Sequence, residues 1–454
     1  MTDFDDYQPD TLYFLPLGGA SEFGGNLNLY HWNNQWLMVD CGIAFDNQGK
    51  GDARVLLPDP SYIEKRRAGL QGLVITHAHE DHIGAVVQLW PRLRCPVYAT
   101  PFAASYLHKR IAEFPDAADM PIRRVHRGDT FSLGSFSVTM VPVTHSIPEA
   151  CMLEIETPAG RIVHTGDWKI DHAPLLGPPI DPEIFRKIGD KGVLAAVTDS
   201  TNSPTPGSSG DEEAVCEGLT RLFARLKNRI IVTCIARNTS RIQSIAEAAY
   251  ANGRQVGLVG RSLWTFDHIA RDLGFFNDFP PFLGPRKANK LPPIETVLIV
   301  TGSQGESNAA LSRMANDEHR DVSLERGDHV VFSARVIPDC AEAIADMQKR
   351  LRMRGAEVIT KETVPEFIYA SGHPSREDVL EMYQWLRPQL LVPVHGETRH
   401  LEANGEIARQ AGIGNVIIPN TGGVLRLGPG EPQLAGRVRT GHLVPEPVRM
   451  GERG

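Results

Sequence analysis

The chain has 454 residues, of which 41% are hydrophobic and 22% charged, and its formal net charge is −8 at pH 7. These values are ordinary for a globular protein, and the length predicts more than one domain or one domain with a large insertion. The acidic balance does not favour a nucleic-acid binder, which would need a local basic surface within the acidic whole.

The N-terminal segment, the lengths of the apolar runs and the cysteines indicate where the protein is located. The N-terminal segment MTDFDDYQPD is acidic and has no apolar core, so we expect no signal peptide. No apolar run approaches the length of a membrane span, so no membrane partner is expected. The cysteines are scattered without C-x-x-C pairs, which predicts reduced thiols in a cytoplasmic protein.

The first predicted elements are strands. Apolar runs at Thr11–Leu17 and Trp36–Val39 flank a glycine-rich turn, GGASEFGGN, which predicts strands joined by a tight loop. Asp40 follows the second run directly and is therefore expected at a strand end.

The segment Gly72–Ala85, read as GLVITHAHEDHIGA, is the densest group of candidate ligands in the chain. A buried strand is predicted to end in four groups: His77, His79, Asp81 and His82. Imidazoles and carboxylates are the usual ligands of zinc and similar divalent ions. A polar turn whose histidines bond to backbone is the alternative, and the H-x-H-x-D-H spacing makes it the weaker one because unpaired buried polar groups are costly.

The same segment predicts how these groups are presented. Histidines at i and i+2 of an extended segment share one side. Asp81 is predicted to cap a helix that carries His82 in its first turn and that Pro91 ends.

Reactive side chains recur after apolar, strand-like runs along the chain. Sheet proteins collect such groups at one edge, on loops held by a rigid scaffold. The residues in this position are Asp40, His77, His145, Asp167, Asp199 and His395. His164 alternates into a strand and is expected to be packed or hydrogen-bonded. Trp168 is expected to be core or cleft wall.

The sequence pattern changes in the middle of the chain, where strand-like runs alternate with helical patterns. This rhythm predicts a parallel sheet with helices on both faces. Because His395 again follows an apolar, strand-like run, as the earlier candidate residues do, we interpret the region between them as an insertion. The predicted parts are residues 1–203 and 362–428 of the first domain, the inserted domain at 204–361, and a short tail at 429–454.

Several motifs together resemble one family over nearly the whole chain, to about Leu427. They are PLGGASEFGGN, THAHEDHIGA, HTGDWKID, TDSTN, TGSQGE, SGHPSRED and PVHGETRHL. They resemble the β-CASP nuclease branch of the metallo-β-lactamase superfamily, and within it ribonuclease J. The resemblance implies an α/β fold, namely a metallo-β-lactamase αββα sandwich with an inserted Rossmann-like β-CASP domain. Ribonuclease J usually continues into a C-terminal domain that this chain is expected to lack, which leaves a homodimer as an open expectation.

The resemblance also implies two metal ions, expected to be Zn²⁺ with Mn²⁺ or Mg²⁺ as alternatives. It assigns one ion to His77, His79 and His145, the other to Asp81, His82 and His395, and the bridge to Asp167. An anionic bridge makes chemical sense, since paired cations about 3.5–4 Å apart lower the pKa of a shared water. The resulting hydroxide would attack phosphorus while the ions neutralise charge on the phosphate oxygens.

Further residues are expected around the ions. Asp40 and Asp199 are expected to orient ligand histidines through their free ring N–H, although a turn or helix cap is an equal alternative for Asp199. By resemblance His373 contacts the scissile phosphate and protonates the leaving oxygen; the alternative is a helix start capped by Ser375. The expected catalytic residues are His373, Asp81 and Asp167. The expected phosphate-binding residues are Ser333, Ser371, His373 and Ser375.

The function implied is a metal-dependent ribonuclease that acts as a 5′-to-3′ exonuclease on 5′-monophosphate RNA, with endonuclease activity left open. One alternative is a small-molecule hydrolase of lactones, lactams or thioesters, which a large inserted domain disfavours because it suits a polymer threaded between lobes. DNA stays open as a substrate, since the motifs do not read a 2′-OH. A scaffold without metals is disfavoured, because a complete ligand set has little use without its metal.

Overall fold

The computed structural model describes residues 3–46, 54–337 and 340–445. The strands within these ranges are β1 (Leu12–Gly18), β2 (Leu27–Trp32), β3 (Gln35–Val39), β4 (Ala44–Asp46), β5 (Arg54–Pro58), β6 (Leu70–Val74), β7 (Val97–Ala99), β8 (Ile122–Arg124), β9 (Thr130–Leu133), β10 (Phe136–Pro142), β11 (Cys151–Thr157), β12 (Gly160–His164), β13 (Ala195–Asp199), β14 (Ile230–Thr233), β15 (Gln255–Val259), β16 (Thr296–Val300), β17 (His329–Phe332), β18 (Glu357–Ile359), β19 (Leu390–Val394), β20 (Asn415–Val416), β21 (Gly423–Gly428), β22 (Gln433–Arg437) and β23 (His442–Leu443).

The α-helices in the same ranges are α1 (Ser61–Glu64), α2 (Glu80–Ile83), α3 (Val86–Leu93), α4 (Pro101–Ile111), α5 (Pro182–Asp190), α6 (Glu212–Arg225), α7 (Thr239–Ala251), α8 (Arg261–Asp272), α9 (Pro285–Ala288), α10 (Ala310–Ala315), α11 (Ala341–Met353), α12 (Arg376–Leu386) and α13 (Thr398–Gln410). Short 3₁₀ helices lie at Arg67–Gly69, Pro115–Ala117 and Pro293–Glu295.

Two sheets face each other in the first domain. An eight-stranded sheet has the order β22-β21-β1-β2-β3-β6-β7-β8, and a seven-stranded sheet has the order β20-β19-β13-β12-β11-β10-β9. Alternate residues of each strand point inward, so Phe14 and Val39 of one sheet join Met140 and Leu153 of the other in a shared core. The two sheets therefore form the centre of a sandwich.

Helices cover the outer faces of this sandwich. Helices α3 and α4 contribute Trp90 and Phe102 to the core on the outer side of the eight-stranded sheet. Helices α5, α12 and α13 pack Phe185, Met382 and Ile407 against the seven-stranded sheet. The four layers give the predicted αββα arrangement.

A five-stranded sheet forms the inserted domain, in the order β15-β16-β14-β17-β18. All its strand pairs are parallel. Ile231 of the central strand packs towards α10 and α11. Its neighbours Ile230 and Val232 pack towards α6, α7 and α8. The predicted parallel sheet with helices on both faces is confirmed.

Three local expectations differ from the structure. His79, not Asp81, is the N-cap residue of α2, so Asp81 lies within the first turn of the helix. Helix α3 contains Pro91 and ends at Leu93, because a proline this late removes only one intrahelical hydrogen bond while Trp90 and Leu93 remain buried. The predicted tail contributes β22 and β23, which pair with β21 and β5, and its residues 446–454 lie outside the described ranges.

Candidate metal centre

The candidate ligands meet where strands of both sheets end. Asp40 follows β3 and His77 follows the neighbouring parallel strand β6 in one sheet. Asp167 and His395 follow β12 and β19, which flank β13 in the other sheet. Parallel neighbours end at the same edge, so these side chains come together. Asp40 and His395 both have the left-handed backbone conformation, with φ of 61° and 59°, a strain that is uncommon outside glycine and clusters at functional sites.

A first group of ligand atoms comprises His77, His79, His145 and Asp167, all within 4.8 Å of one another. His79 Nδ1 lies 3.0 Å from His145 Nε2. Asp167 Oδ2 lies 3.7 Å from His77 Nε2 and 3.8 Å from His145 Nε2. Three imidazoles and one carboxylate oxygen thus surround one point.

A second group comprises Asp81, His82, His395 and again Asp167. Asp167 Oδ1 lies 3.2 Å from His82 Nε2 and 3.2 Å from His395 Nδ1. Asp81 Oδ2 lies 3.3 Å from His395 Nε2. The two oxygens of Asp167 therefore face different groups, which is the arrangement of a bridging carboxylate.

The polar atoms of these groups fit divalent ions. Nε2 of His77 and Oδ1 of Asp167 are buried without a hydrogen-bond partner among the described residues, and buried polar atoms are costly unless they are satisfied. Burial lowers the pKa of His77 and His79 well below the ordinary value, and that of His145 to about 4. Neutral imidazoles of this kind are ready to donate a lone pair to a metal.

Charge is concentrated on the second group. Burial alone would raise the pKa of Asp167, but the imidazoles of His82 and His395 hold it well below the ordinary value. Burial would lower the pKa of His82 and His395, but Asp167 and the other nearby carboxylates raise both well above the ordinary value. Positive charge is therefore stabilised beside the shared carboxylate.

Hydrogen bonds fix the orientation of two candidate ligands. His82 Nδ1 donates to Oδ2 of the buried Asp40 at 2.7 Å, and Asp40 also accepts from the N–H and the hydroxyl of Thr76 at 2.8 Å. His145 Nδ1 donates to the carbonyl of Gly372 at 2.5 Å. Such contacts set which ring nitrogen is left for a metal.

Asp199 lies against His373 more closely than against a candidate ligand. His373 Nδ1 donates to Asp199 Oδ2 at 2.8 Å, whereas His395 Nδ1 is 3.5 Å from Asp199 Oδ1. Asp199 also accepts from the N–H and the hydroxyl of Thr201 at 2.8 and 2.7 Å. The ring centroid of His373 lies 5.4 Å from that of His145, so His373 adjoins the metal groups.

The predicted phosphate-binding residues divide into two environments. Asn202 Nδ2 donates to Ser371 Oγ at 2.9 Å and lies 3.5 Å from Ser375 Oγ, so these hydroxyls share one neighbour beside His373. Ser375 is also the N-cap residue of α12. Ser333 instead lies in a buried hydrogen-bond network with Arg241: its hydroxyl donates to the carbonyl of Ile368 at 2.7 Å and accepts from Arg241 at 2.8 Å.

Some neighbours of the centre were not singled out from the sequence. Asn26 Nδ2 lies 3.0 Å from the carbonyl oxygen of Asp81 and 3.2 Å from His82 Nε2. A Cβ at Gly42 would lie 1.7 Å from that same carbonyl oxygen, so only glycine fits there. Arg237 of the inserted domain pairs with Glu80 at 2.7 Å. The glycine-rich turn that ends in Asn26 was a sequence signal for the first of these contacts. No sequence signal pointed to the contact between Arg237 and Glu80.

Two residues were expected to be structural. His164 Nδ1 lies 3.0 Å from the hydroxyl of Tyr30, and burial lowers the pKa of His164 to about 4. Trp168 is fully buried in the core on the outer face of the seven-stranded sheet. Both expectations are confirmed.

Comparison with known proteins connects this geometry to a family. A model described as "Ribonuclease J, beta-CASP domain" matches residues 227–351, one described as "Beta-lactamase superfamily domain" matches 35–195, and one described as "Zn-dependent metallo-hydrolase RNA specificity domain" matches 361–419. Ribonuclease J of Sinorhizobium meliloti is 43% identical over 449 residues, which cover 98% of this chain and 79% of that protein. The chain belongs to the ribonuclease J family. Family membership identifies it as a metal-dependent ribonuclease.

Other similar proteins agree with this assignment. Ribonuclease J of Mycolicibacterium smegmatis is 36% identical over 98% of this chain and 80% of its own length. Ribonuclease J of Corynebacterium glutamicum is 37% identical over 97% of this chain, which spans only 61% of that protein. A crystal structure of a protein of unknown function from Enterococcus faecalis V583 covers 92% of this chain and 100% of its own, with a TM-score of 0.63 at 18% identity. That likeness concerns the fold alone.

One further property concerns membranes. Within the described ranges, every helix of this ribonuclease J family member is too short or too polar to span a bilayer.

Proposed function

We propose that this enzyme degrades RNA from a 5′-monophosphate end in the 5′-to-3′ direction, with two Zn²⁺ ions as its cofactor. One ion would be held by His77, His79 and His145, the other by Asp81, His82 and His395, with Asp167 as the bridge. The observation that carries the proposal is the position of Asp167, whose two oxygens face two different groups of ligand atoms. Bound divalent ions would supply a water of lowered pKa and neutralise charge on the phosphate.

The chain's own residues would hold this arrangement in place. Asp40 fixes His82 and the carbonyl of Gly372 fixes His145, so the ligand nitrogens are oriented before any ion binds. Five of the proposed ligands, namely His77, His82, His145, Asp167 and His395, are buried, which limits the access of bulk water to the shared carboxylate. Preorganisation of this kind strengthens electrostatic stabilisation of charge that develops on a phosphate.

We propose that His373 donates a proton to the leaving oxygen. Its Nδ1 is engaged by Asp199, which leaves Nε2 as the donor towards substrate. Burial opposes the charged form, but the carboxylates of Asp199 and Asp167 raise the pKa of His373 above its ordinary value. A histidine held protonated near neutral pH suits a general acid.

The 5′-phosphate would bind beside His373. Ser371 and Ser375 lie around the side-chain amide of Asn202, and small hydroxyl and amide groups can cradle a phosphate. Ser333 is not proposed as a donor to the phosphate, because its hydroxyl proton is already donated to the carbonyl of Ile368. Ser333 would shape this pocket rather than donate to the phosphate.

The decisive test compares RNAs of equal sequence that carry a 5′-monophosphate or a 5′-triphosphate, with the products sized. We expect mononucleotides from the monophosphate RNA, and loss of cleavage in His77→Ala and Asp167→Ala. Equal degradation of both RNAs would refute the 5′-end dependence. A metal-loaded protein that leaves both RNAs intact would refute the proposed function, and internal fragments would establish endonuclease activity instead.

The remaining parts of the proposal have separate measurements. Elemental analysis of the purified protein distinguishes zinc from manganese or magnesium. Light scattering in solution tests the homodimer. We propose the cytoplasm as the location, since the cysteines at 41, 95, 151, 216 and 234 are thiols outside any disulfide, as is usual in a reducing compartment. A matched single-stranded DNA tests whether the sugar is read.

A further inference from the structure

One exposed aromatic ring lies beside the metal centre. Phe23 is in the loop between β1 and β2 and has 42% of its surface exposed, although its neighbours in space are buried. Its ring centroid is 6.0 Å from that of His395, a candidate ligand, and 5.0 Å from that of the buried His400. Both contacts are edge-to-face, at 76° and 75°, so part of the ring surface stays available for another partner.

The loop that carries Phe23 is anchored to the metal centre itself. The carbonyl of Gly19 accepts from the N–H of His395 at 2.9 Å, and the N–H of Asn26 donates to the carbonyl of Asp81 at 3.0 Å. On the outer side, Glu22 accepts from the hydroxyl of Thr421 at 3.2 Å. Because both ends of the loop are bonded to ligand-bearing segments, the backbone that carries the ring is held in place relative to the candidate ligands.

The surroundings of the ring contain positive charge. Arg399 follows Thr398 at the start of α13, next to His400, and its side chain is 64% exposed. Its Nε lies 3.3 Å from Oε2 of Glu397, in an exposed ion pair. Burial lowers the pKa of His400, the guanidinium groups of Arg399 and Arg335 lower it further, and the carboxylate of Glu397 opposes the shift. Arg335 also contacts the side chain of Asn202, at the proposed phosphate site. An exposed ring with cations nearby is the combination that single-stranded nucleic acid binds, through bases on the ring and phosphates on the cations.

We propose that Phe23 is a stacking platform for a nucleobase of the RNA adjacent to the scissile phosphate. The inference rests on the proposed function, because it places the scissile phosphate at the ions bridged by Asp167. A base on the neighbouring ribose is then within one nucleotide of a ring that packs against His395. Since every base has a π face, such a platform binds RNA with little sequence preference.

The experiment removes the base and the ring separately. Equilibrium binding is measured with short 5′-monophosphate RNAs that are 2′-O-methylated and that carry one abasic ribose, moved along the strand one position at a time. Wild type should lose about 5- to 150-fold in affinity when the base at one position is absent, which corresponds to about 1–3 kcal/mol per stacked base. Phe23→Ala should lose the same factor on intact RNA and nothing further from the abasic ribose at that position.

Matched variants separate stacking from stability. Phe23→Trp should keep the affinity and Phe23→Leu should lose most of the base dependence, and these two carry the comparison even where Phe23→Ala fails to fold. Phe367→Leu is the control, because Phe367 has a similar exposure of 44%; it should bind every RNA as wild type does. 2-Aminopurine at the sensitive position should be quenched by wild type and not by Phe23→Leu.

The proposal is overturned if Phe23→Leu binds all these RNAs as wild type does, or if its loss is the same at every abasic position. A wild type that shows the base-dependent binding but cleaves no RNA supports the platform and counts against the proposed function alone. The two failures are therefore distinguishable.

Discussion

The arginine of a buried ion pair in the inserted domain also bonds to the segment that carries His373. Arg241 of α7 is fully buried, and its Nε donates to Oε1 of Glu212 at 2.6 Å. Its Nη1 donates to the carbonyl and the hydroxyl of Ser333 at 2.9 and 2.8 Å, and its Nη2 donates to the carbonyl of Ala370 at 3.1 Å. One guanidinium thus fixes the chain three residues before His373.

Replacing Arg241 with methionine should destabilise the protein by about 3–5 kcal/mol, because it leaves the Glu212 carboxylate buried without its cation. The carbonyls of Ser333 and Ala370 would also lose a donor. The control is Arg225→Met, which breaks a pair with Glu366 whose two contacts are both 2.8 Å long but whose arginine side chain is 50% exposed. Exposed pairs contribute about 0–1 kcal/mol, so the control should change stability little.

The assay is urea unfolding of metal-saturated protein, followed by kcat/KM on 5′-monophosphate RNA. Arg241→Met combined with Glu212→Leu removes both charges and should recover most of the lost stability, since no unpaired ion is left. The double variant should still cleave at least about 10-fold more slowly, an order-of-magnitude expectation for a misplaced catalytic group. Equal destabilisation by Arg241→Met and Arg225→Met would refute the reasoning, and so would a double variant of full activity.

Three further predictions concern the centre itself. Asp167→Ala should lose both ions on dialysis, while His77→Ala should lose about one, as counted by elemental mass spectrometry, because only Asp167 faces both groups. Asp40→Ala should weaken metal binding about 10- to 100-fold, measured by competition with a chelator, because the Nδ1 of His82 loses its acceptor. Asp199→Asn should keep its metal content but lower kcat about 10²- to 10⁴-fold, measured in single-turnover cleavage, since the proposed acid loses its charged partner.

Each of these has a contrary outcome. Full metal content in Asp167→Ala would exclude the bridge, and unchanged chelator competition in Asp40→Ala would make that carboxylate purely structural. Loss of metal in Asp199→Asn would assign Asp199 to the ligands rather than to His373. Thr201→Val is the comparison for the last case, because the Thr201 hydroxyl donates to the same carboxylate without touching the proposed acid. Its hydroxyl also lies 3.3 Å from Nδ1 of His395, so the metal content of this variant is measured alongside.

Much of the candidate centre could be predicted because many of its candidate ligands lie close together in the sequence. His77, His79, Asp81 and His82 lie within six residues, and strand ends that bear polar groups mark the rest. The parallel sheet of the insertion followed from its strand and helix rhythm for the same reason. These features depend on periodicity and on residue type, and both are visible in one dimension.

What could not be predicted depends on contacts between distant segments. Asp199 is 174 residues from His373, and no pattern in the chain joins them. The contact of Ser333 with the buried Arg241 could not be predicted for the same reason. The sequence around a serine that follows a strand does not show whether its hydroxyl contacts a phosphate or a guanidinium. The predicted N-cap of α2 was wrong for a different reason. Asp81 is a residue type that often caps helices, but the helix begins one residue after His79, which is the N-cap residue.

The segment from Ala370 to His373 connects a candidate metal ligand, the proposed proton donor and the inserted domain through three hydrogen bonds. Within it Ala370 accepts from the buried Arg241, Gly372 accepts from His145, and His373 donates to Asp199. A shift of this short segment would disturb the candidate ligand His145 and the proposed proton donor together, and the guanidinium bonded to the segment belongs to the inserted domain. The insertion therefore contributes to the centre through the backbone it holds, in addition to any RNA surface it presents.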